Sequence, residues 1–120
     1  MLEEQRPSLA PTFGYLMLGS LFWAVHLLVV YAAHTLICAL ASSPTASSLT
    51  VVALTAILAL PVAFVLLNQR RTGRWFGISD ELPDRKTYDA ISRFIGLLSL
   101  AGILWAGVAA AIVSSCATGR

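Results

Sequence analysis

Residues 15–41 have the sequence YLMLGSLFWAVHLLVVYAAHTLICALA and contain no Asp, Glu, Lys or Arg. They belong to a longer stretch, 7–69, of 63 consecutive uncharged residues, and a second uncharged stretch covers 94–119. A water-soluble fold needs charged or strongly polar side chains over most of its surface. The sequence therefore excludes a soluble globular domain, a nucleic-acid-binding protein and a disordered tail, and it predicts an integral membrane protein.

The composition agrees with a membrane protein and sets the number of spans. Of the 120 residues, 58% are hydrophobic and 12% are charged, against about 45–50% and about 25% in an average soluble domain. A bilayer core of about 30 Å takes about 20 helical residues at about 1.5 Å each. The uncharged stretches therefore divide into spans at about 15–41, 49–67 and 94–113, within a single membrane domain covering residues 1–120.

Helices are the expected form of these spans. Backbone groups must be hydrogen-bonded inside the bilayer, and the Leu, Ala and Val runs show no strand-like alternation. The first two spans are joined by the Ser-rich turn 42–48 and form an antiparallel hairpin. We predict an all-α membrane protein with three transmembrane helices in a bundle.

The distribution of basic residues predicts the topology. Loop 68–93 contains six Lys and Arg residues, and the turn 42–48 contains none. Because Lys and Arg of short loops stay in the cytoplasm, we expect the N-terminus and this loop to be cytoplasmic and the C-terminus periplasmic, in a bacterial inner membrane. A cleaved signal peptide is excluded, because two Glu precede an apolar run of about 27 residues, far longer than a signal peptide's.

Loop 68–93 combines basic, aromatic and acidic residues. Its basic cluster from Arg70 to Arg74, followed by Trp75 and Phe76, is suited to anionic headgroups and the membrane interface. The run 84–94 is expected to form a short helix that enters the third span. We expect the acids to be solvated loop charges, because their spacing matches no calcium loop; they are Asp80, Glu81, Asp84 and Asp89.

Small residues recur along the third span. Gly102, Ala106, Ala110 and Ser114 follow one another at intervals of four, with Gly96 and Ser99 close to the same stripe. Such a stripe lets two helix backbones approach closely. We therefore expect this face to pack against another helix.

The first span carries both histidines of the chain, His26 and His34, on one face together with Trp23 and Cys38, and with Tyr31 at its edge. Eight residues correspond to about 12 Å of helix, so we expect His26 near the middle of the membrane and His34 nearer its outer surface. An ionisable side chain at such depth is costly and normally faces the protein interior, which makes this face the candidate site.

Two interpretations of the histidines involve different partners. Neutral imidazoles could bind Ser99, Thr55 or a backbone carbonyl on another helix and so fix the packing. Alternatively, His26 and/or His34 could be axial ligands of a b-type haem. Two nitrogens about 12 Å apart on one helix cannot bind the same iron, so a bis-His haem needs a second copy of the chain or another subunit. A proton relay also remains open.

The cysteines add a further alternative. Cys38 and Cys116 end the first and third spans, and both are expected at the periplasmic surface, where a disulfide between them is the simplest prediction. The alternative is a copper site of His34, Cys38 and Cys116, because His34 and Cys38 are four residues apart and imidazole with thiolate suits copper.

The segment 21–31, LFWAVHLLVVY, followed by His34 and Cys38, resembles the first helix of small uncharacterised proteobacterial membrane proteins found beside haem-copper (cytochrome c) oxidase genes. The likeness covers about 20 residues centred on Trp23, His26 and Tyr31. It implies an accessory or assembly role near a respiratory terminal oxidase, and it implies no ligand.

Inspection finds none of the common catalytic motifs, such as a phosphate-binding glycine loop or His-Glu-x-x-His. We therefore expect a non-enzymatic protein whose partners are the lipid bilayer and other membrane subunits, those of the oxidase, or a second copy of itself. Nucleic acid is not an expected partner. The alternative function is that of a dimeric membrane haem b protein in electron transfer, using His26 and/or His34.

Overall fold

The computed structural model describes residues 9–78, 83–113 and 116. These residues form four helices in the order α1 (Leu9–Leu40), α2 (Pro44–Leu67), α3 (Gln69–Trp75) and α4 (Arg85–Ile112). Three of them, α1, α2 and α4, are long and apolar enough to cross a membrane, and each packs against the other two. The predicted all-α bundle of three spans is confirmed.

A tight turn joins α1 to α2. Ser42 adopts a left-handed backbone conformation with φ of 49°, which reverses the chain directly after α1. Ser43 then caps α2, because its hydroxyl accepts a hydrogen bond from the backbone N–H of Ala46 at 3.3 Å, and Pro44 occupies the first helical position, where its missing N–H costs nothing. The connection is therefore shorter than the expected turn 42–48.

The helices extend beyond the predicted spans. Residues 9–14 already belong to α1, and much of the expected loop 68–93 is helical, since it contains α3 and the first turns of α4. The short helix expected over 84–94 is the beginning of α4, which starts at Arg85. The predicted spans are bounded by hydropathy, which indicates only where a helix leaves the apolar core of the membrane. The helices themselves continue into the polar segments on either side of the spans.

The bundle is polar inside and apolar outside. Its buried side chains include His26, Ser47, Thr55 and Ser92, with Val51, Val62 and Ile103 between them. Large apolar side chains instead cover the outer surface, as Leu28, Leu60 and Trp105 do at 70%, 70% and 76% exposure. Because lipid solvates apolar surface, the exterior stabilises the chain only in a membrane, and helix association depends on close packing and hydrogen bonds.

A close backbone contact joins α1 to α4 at two glycines. A Cβ placed on Gly19 would lie 2.9 Å from the Cα of Gly96, so the two backbones touch with no side chain between them. The buried face of α4 contains Gly96, Ser99, Ile103 and Gly107. This buried face includes Gly96 and Ser99, which lie close to the predicted stripe. The stripe itself begins at Gly102 and follows a neighbouring face of α4.

The predicted stripe also meets α1, at Trp23. A Cβ on Gly102 would lie 2.9 Å from the indole nitrogen of Trp23, and Ala106 and Ala110 are half-buried. Because α4 contacts two helices, it carries small residues on two faces. Ser114 lies outside the described residues, as do Asp80 and Glu81.

A buried polar network fixes the basic end of the bundle. The Nε of Arg85 donates to the Oδ1 of Asp89 at 3.0 Å, and the hydroxyl of Tyr15 donates to the same oxygen at 2.6 Å. Arg85 also donates to the carbonyl of Ile78 at 3.0 Å, and the Gln69 side chain donates to the backbone carbonyl of Asp89 at 3.0 Å. Four segments of the chain therefore meet here.

The expectation that Asp89 is a solvated loop charge is wrong. Its side chain is 25% exposed and that of Arg85 is 6% exposed, because α4 begins early enough to carry both residues into the contact with α1. Asp84, one turn earlier, is exposed as expected.

Candidate functional site

His26 lies inside the bundle at the level of the middle of α2. Its side chain is fully buried, and its Nε2 lies 3.0 Å from the hydroxyl oxygen of Thr55, the twelfth of the 24 residues of Pro44–Leu67. His26 therefore lies near the middle of the hairpin that α1 and α2 form. Of the three partners that the sequence suggests for the imidazoles, the structure places Thr55 against His26.

The hydrogen bonds of Thr55 determine the tautomer of His26. The Thr55 hydroxyl donates to the carbonyl of Val51 at 2.8 Å, so its oxygen accepts from the Nε2–H of His26. A neutral imidazole carries one ring proton, and its Nδ1 is then an acceptor. Within the described part of the chain, this buried Nδ1 has no hydrogen-bond partner.

Close packing surrounds this pair on two sides. A Cβ on Gly107 of α4 would lie 2.6 Å from the Cγ2 of Thr55, and Trp23, one turn before His26, packs against Gly102. An axial ligand must present a ring nitrogen to the open face of a haem. In this packing the Nε2 of His26 is already bound and its ring is enclosed, so the geometry of His26 fits a structural hydrogen bond better than haem ligation.

We expect Thr55→Val to destabilise the protein. Valine keeps the shape of the side chain but removes the oxygen that accepts from His26, so both ring nitrogens are left without a partner in the middle of the bundle. Hydrogen bonds between membrane helices contribute about 1 kcal/mol, and we expect a loss of that size in thermal unfolding of the purified protein in detergent, followed by circular dichroism.

The matched control is Thr50→Val in the same helix. The Thr50 hydroxyl donates to the carbonyl of Ala46 at 2.8 Å, a bond within α2 that ties no second helix. Equal loss of stability in the two variants would show that the contact between His26 and Thr55 contributes nothing specific.

His34 lies in a different setting from His26. It is half-buried, and its Nδ1 lies 3.0 Å from the hydroxyl oxygen of Ser47 at the start of α2. Cys38 follows one turn later, with its Sγ 3.9 Å from each ring nitrogen. Both histidines therefore tie α1 to α2, His26 in the middle of the bundle and His34 near the turn between the helices.

Cys38 and Cys116 are joined by a disulfide, the simpler of the two arrangements expected for them. This bond links the end of α1 to the residues that follow α4. Because copper binds the thiolate form of cysteine, a site of His34, Cys38 and Cys116 would require the bond to be reduced. Among residues 9–78, 83–113 and 116, no group of three His, Cys, Asp or Glu side chains is placed to hold a metal ion.

A lateral groove opens between α1 and α4 beside this disulfide. Its volume is about 1260 Å³, and we call it the α1–α4 groove. Cys38, Cys116, Ala109 and Ala110 are among the residues that line it. The polar residues of its wall include Tyr31, His34 and Thr35.

The structure divides the face that the sequence predicts as one site. His26 turns inward to α2, whereas Tyr31, His34 and Cys38 line the α1–α4 groove. Ser47 and the buried Arg85 are not among the residues predicted from the sequence. The one available signal for Arg85 is its spacing of four residues from Asp89, which places an ion pair on one helix face.

Comparisons with protein families, with curated proteins and with solved structures find no match to this chain.

Proposed function

We propose that the chain is a non-enzymatic accessory or assembly subunit of a respiratory terminal oxidase, placed in the bacterial inner membrane with its N-terminus in the cytoplasm and its C-terminus in the periplasm. The observation that carries this proposal is the α1–α4 groove, a lateral opening in a bundle whose helices are otherwise held by hydrogen bonds and a disulfide. A firmly held bundle with such a lateral opening is suited to binding a transmembrane helix of another subunit.

The depth of Tyr31 favours a protein partner in this groove. Tyr31 lies five residues after His26, about 7.5 Å farther along the helix, whereas the apolar half-thickness of a bilayer is about 15 Å. Its side chain is 71% exposed on the outside of the bundle. A hydroxyl at that depth is stabilised by a hydrogen bond from another helix, which acyl chains cannot supply.

The α4 residues that line the groove also suit a helix. Ala109 and Ala110 present small side chains, and small residues allow close approach of a second helix backbone. His34 lies beside them with a ring that can donate or accept across the contact. The oxidase is proposed as the partner because segment 21–31 resembles the first helix of small membrane proteins found beside oxidase genes. That segment ends at Tyr31, which lines the groove, and it contains the buried His26.

A photocrosslinking amino acid at position 31 tests the proposal in cells that express the oxidase. We expect a covalent product with an oxidase subunit, identified by mass spectrometry. The matched control position is Leu49 on α2, which is 66% exposed. The contact between His34 and Ser47 sets these two residues at the same level. Because the helices are antiparallel, Leu49, two residues after Ser47, lies close to the level of Tyr31, three residues before His34. Products of Tyr31 with lipid alone, or equal yields at both positions, would contradict the proposal.

A second candidate function is that of a dimeric membrane haem b protein, and the geometry of His34 favours it over His26 as the ligand. His34 lines the α1–α4 groove, and its Nδ1 is held by Ser47. Histidine ligands normally have their second nitrogen held in this way. Two copies of the chain would each supply one His34 to a shared haem, whose iron would provide the electron transfer.

A reduced-minus-oxidised absorption spectrum of the purified protein separates the two functions. A haem b band at about one haem per two chains, lost in His34→Ala, would favour the second candidate. A spectrum without that band, together with a crosslink from position 31 to the oxidase, would overturn it.

A further inference from the structure

The end of the bundle opposite the disulfide carries a second groove, between α3 and α4. Its volume is about 860 Å³, and we call it the basic groove. Five cationic side chains line it, and they are Arg70, Arg71, Arg74, Lys86 and Arg93. None of the contacts described above involves Arg70 or Arg93, and both side chains are exposed.

The negative charge in this groove is already engaged. Among the described lining residues the carboxylate is that of Asp89, and its Oδ1 accepts from Arg85 at 3.0 Å and from Tyr15 at 2.6 Å. Arg74 makes a further interaction of its own, and without it the described lining residues still combine four cations with one carboxylate, which accepts from the buried network. This excess of positive charge attracts an anion.

The aromatic residues around α3 place the basic groove at the membrane interface. α3 begins at Gln69, directly after α2 ends at Leu67. The ring of Trp75 stacks on Phe64 of α2, with 6.3 Å between ring centroids, and the guanidinium of Arg71 lies 5.8 Å from the centroid of Trp75. Tryptophan favours the headgroup level of a bilayer, so α3 is held where α2 leaves the apolar core.

The α4 wall of the groove changes from basic to apolar along its length. Lys86, Arg93 and Leu97 all line the groove, and their spacing of seven and four residues places them on one helix face. Phe94 and Leu97, which are 64% and 53% exposed, lie on the membrane side of the cations. A phospholipid has the same order of chemistry, with a charged phosphate followed by acyl chains.

We propose that the basic groove binds an anionic phospholipid, with the phosphate among the cations and an acyl chain along Phe94 and Leu97. Basic pockets beside transmembrane helices on the cytoplasmic side bind such headgroups. The apolar side of the groove distinguishes a lipid from a free phosphate ion, which has nothing to place there.

Native mass spectrometry of the detergent-purified full chain, offered equal amounts of phosphatidylglycerol and phosphatidylcholine, tests this site. We expect the unaltered chain to retain phosphatidylglycerol in preference to phosphatidylcholine. The double variant Arg70→Gln/Arg93→Gln should reduce that preference about tenfold, since each cation near a membrane surface strengthens the binding of an anionic lipid. Arg70→Lys/Arg93→Lys keeps both charges and should retain the preference.

The matched control is Arg6→Gln/Arg120→Gln, which removes the same net charge from the two ends of the sequence and should leave the preference unchanged. Equal retention of the two lipids by the unaltered chain, or an equal loss in both glutamine variants, would overturn the proposal.

A third measurement adds inorganic phosphate in excess to the protein with its bound lipid. Displacement of the lipid by phosphate would assign the groove to a soluble anion instead, whereas retention of the lipid supports the phospholipid site.

Discussion

Replacing Gly19 with leucine is expected to force α1 away from α4 and to destabilise the bundle strongly. Even a Cβ at this position would lie 2.9 Å from the Cα and 3.2 Å from the backbone nitrogen of Gly96. A backbone cannot rotate aside as a side chain can, so the helices must separate. Overpacking of this kind costs about 3 kcal/mol, and the separation also weakens the contacts that depend on α1 and α4.

The measurement is thermal unfolding in detergent, followed by circular dichroism, with Ala24→Leu as the matched control. Ala24 is exposed on the same helix, so leucine there adds bulk toward lipid and should change stability little. Gly19→Ala should lie between the two, because it adds the Cβ alone. If Gly19→Leu unfolds at the same temperature as Ala24→Leu, the glycine contact does not hold the helices together.

Replacing Asp89 with asparagine should have an effect of similar size at the basic end. Asparagine keeps the shape of the side chain but removes the charge that balances the guanidinium of Arg85, whose side chain is 6% exposed. The hydroxyl of Tyr15 also loses its charged acceptor. Breaking a buried ion pair by removing one partner costs about 3 kcal/mol, and the partial exposure of Asp89 reduces this to about 2 kcal/mol.

Asp84→Asn provides the control for this variant, because it removes the same charge from an exposed position just before α4.

A second variant separates the cost of burying an unpaired charge from the cost of lost packing. Arg85→Met/Asp89→Leu removes both charges at once, and buried ion pairs replaced by apolar residues are often nearly neutral in stability. We therefore expect the double variant to unfold at a higher temperature than Asp89→Asn. The opposite order would show that the other hydrogen bonds of Arg85, such as the one to Ile78, contribute more to stability than its ion pair with Asp89.

The three long helices could be predicted from the sequence because the physical signal is continuous. The uncharged stretches are long enough to span a bilayer, and Ser42, Ser43 and Pro44 interrupt them with residues that end one helix and begin the next. The level of His26 along the bundle, beside the middle of α2, could also be predicted, since it depends only on the helical rise and the position of the turn.

The buried network and the helix faces could not be predicted in the same way. A charge in a polar segment has the same sequence signature whether its side chain turns to water or into a neighbouring helix, and Asp84 and Asp89 differ only in that respect. Small residues indicate that a helix contact exists, but not which helix makes it. Gly102 faces Trp23 of α1, whereas Gly107 faces Thr55 of α2.

The disulfide makes a closed ring of the chain between Cys38 and Cys116, which are 78 positions apart. α2, α3 and α4 all belong to that ring. A single proteolytic cut between α3 and α4 would open the ring into one branched molecule without releasing a fragment. The last span would stay covalently attached to the first until a reductant reached the bond, so a nicked chain keeps its full mass apart from the water added at the cut.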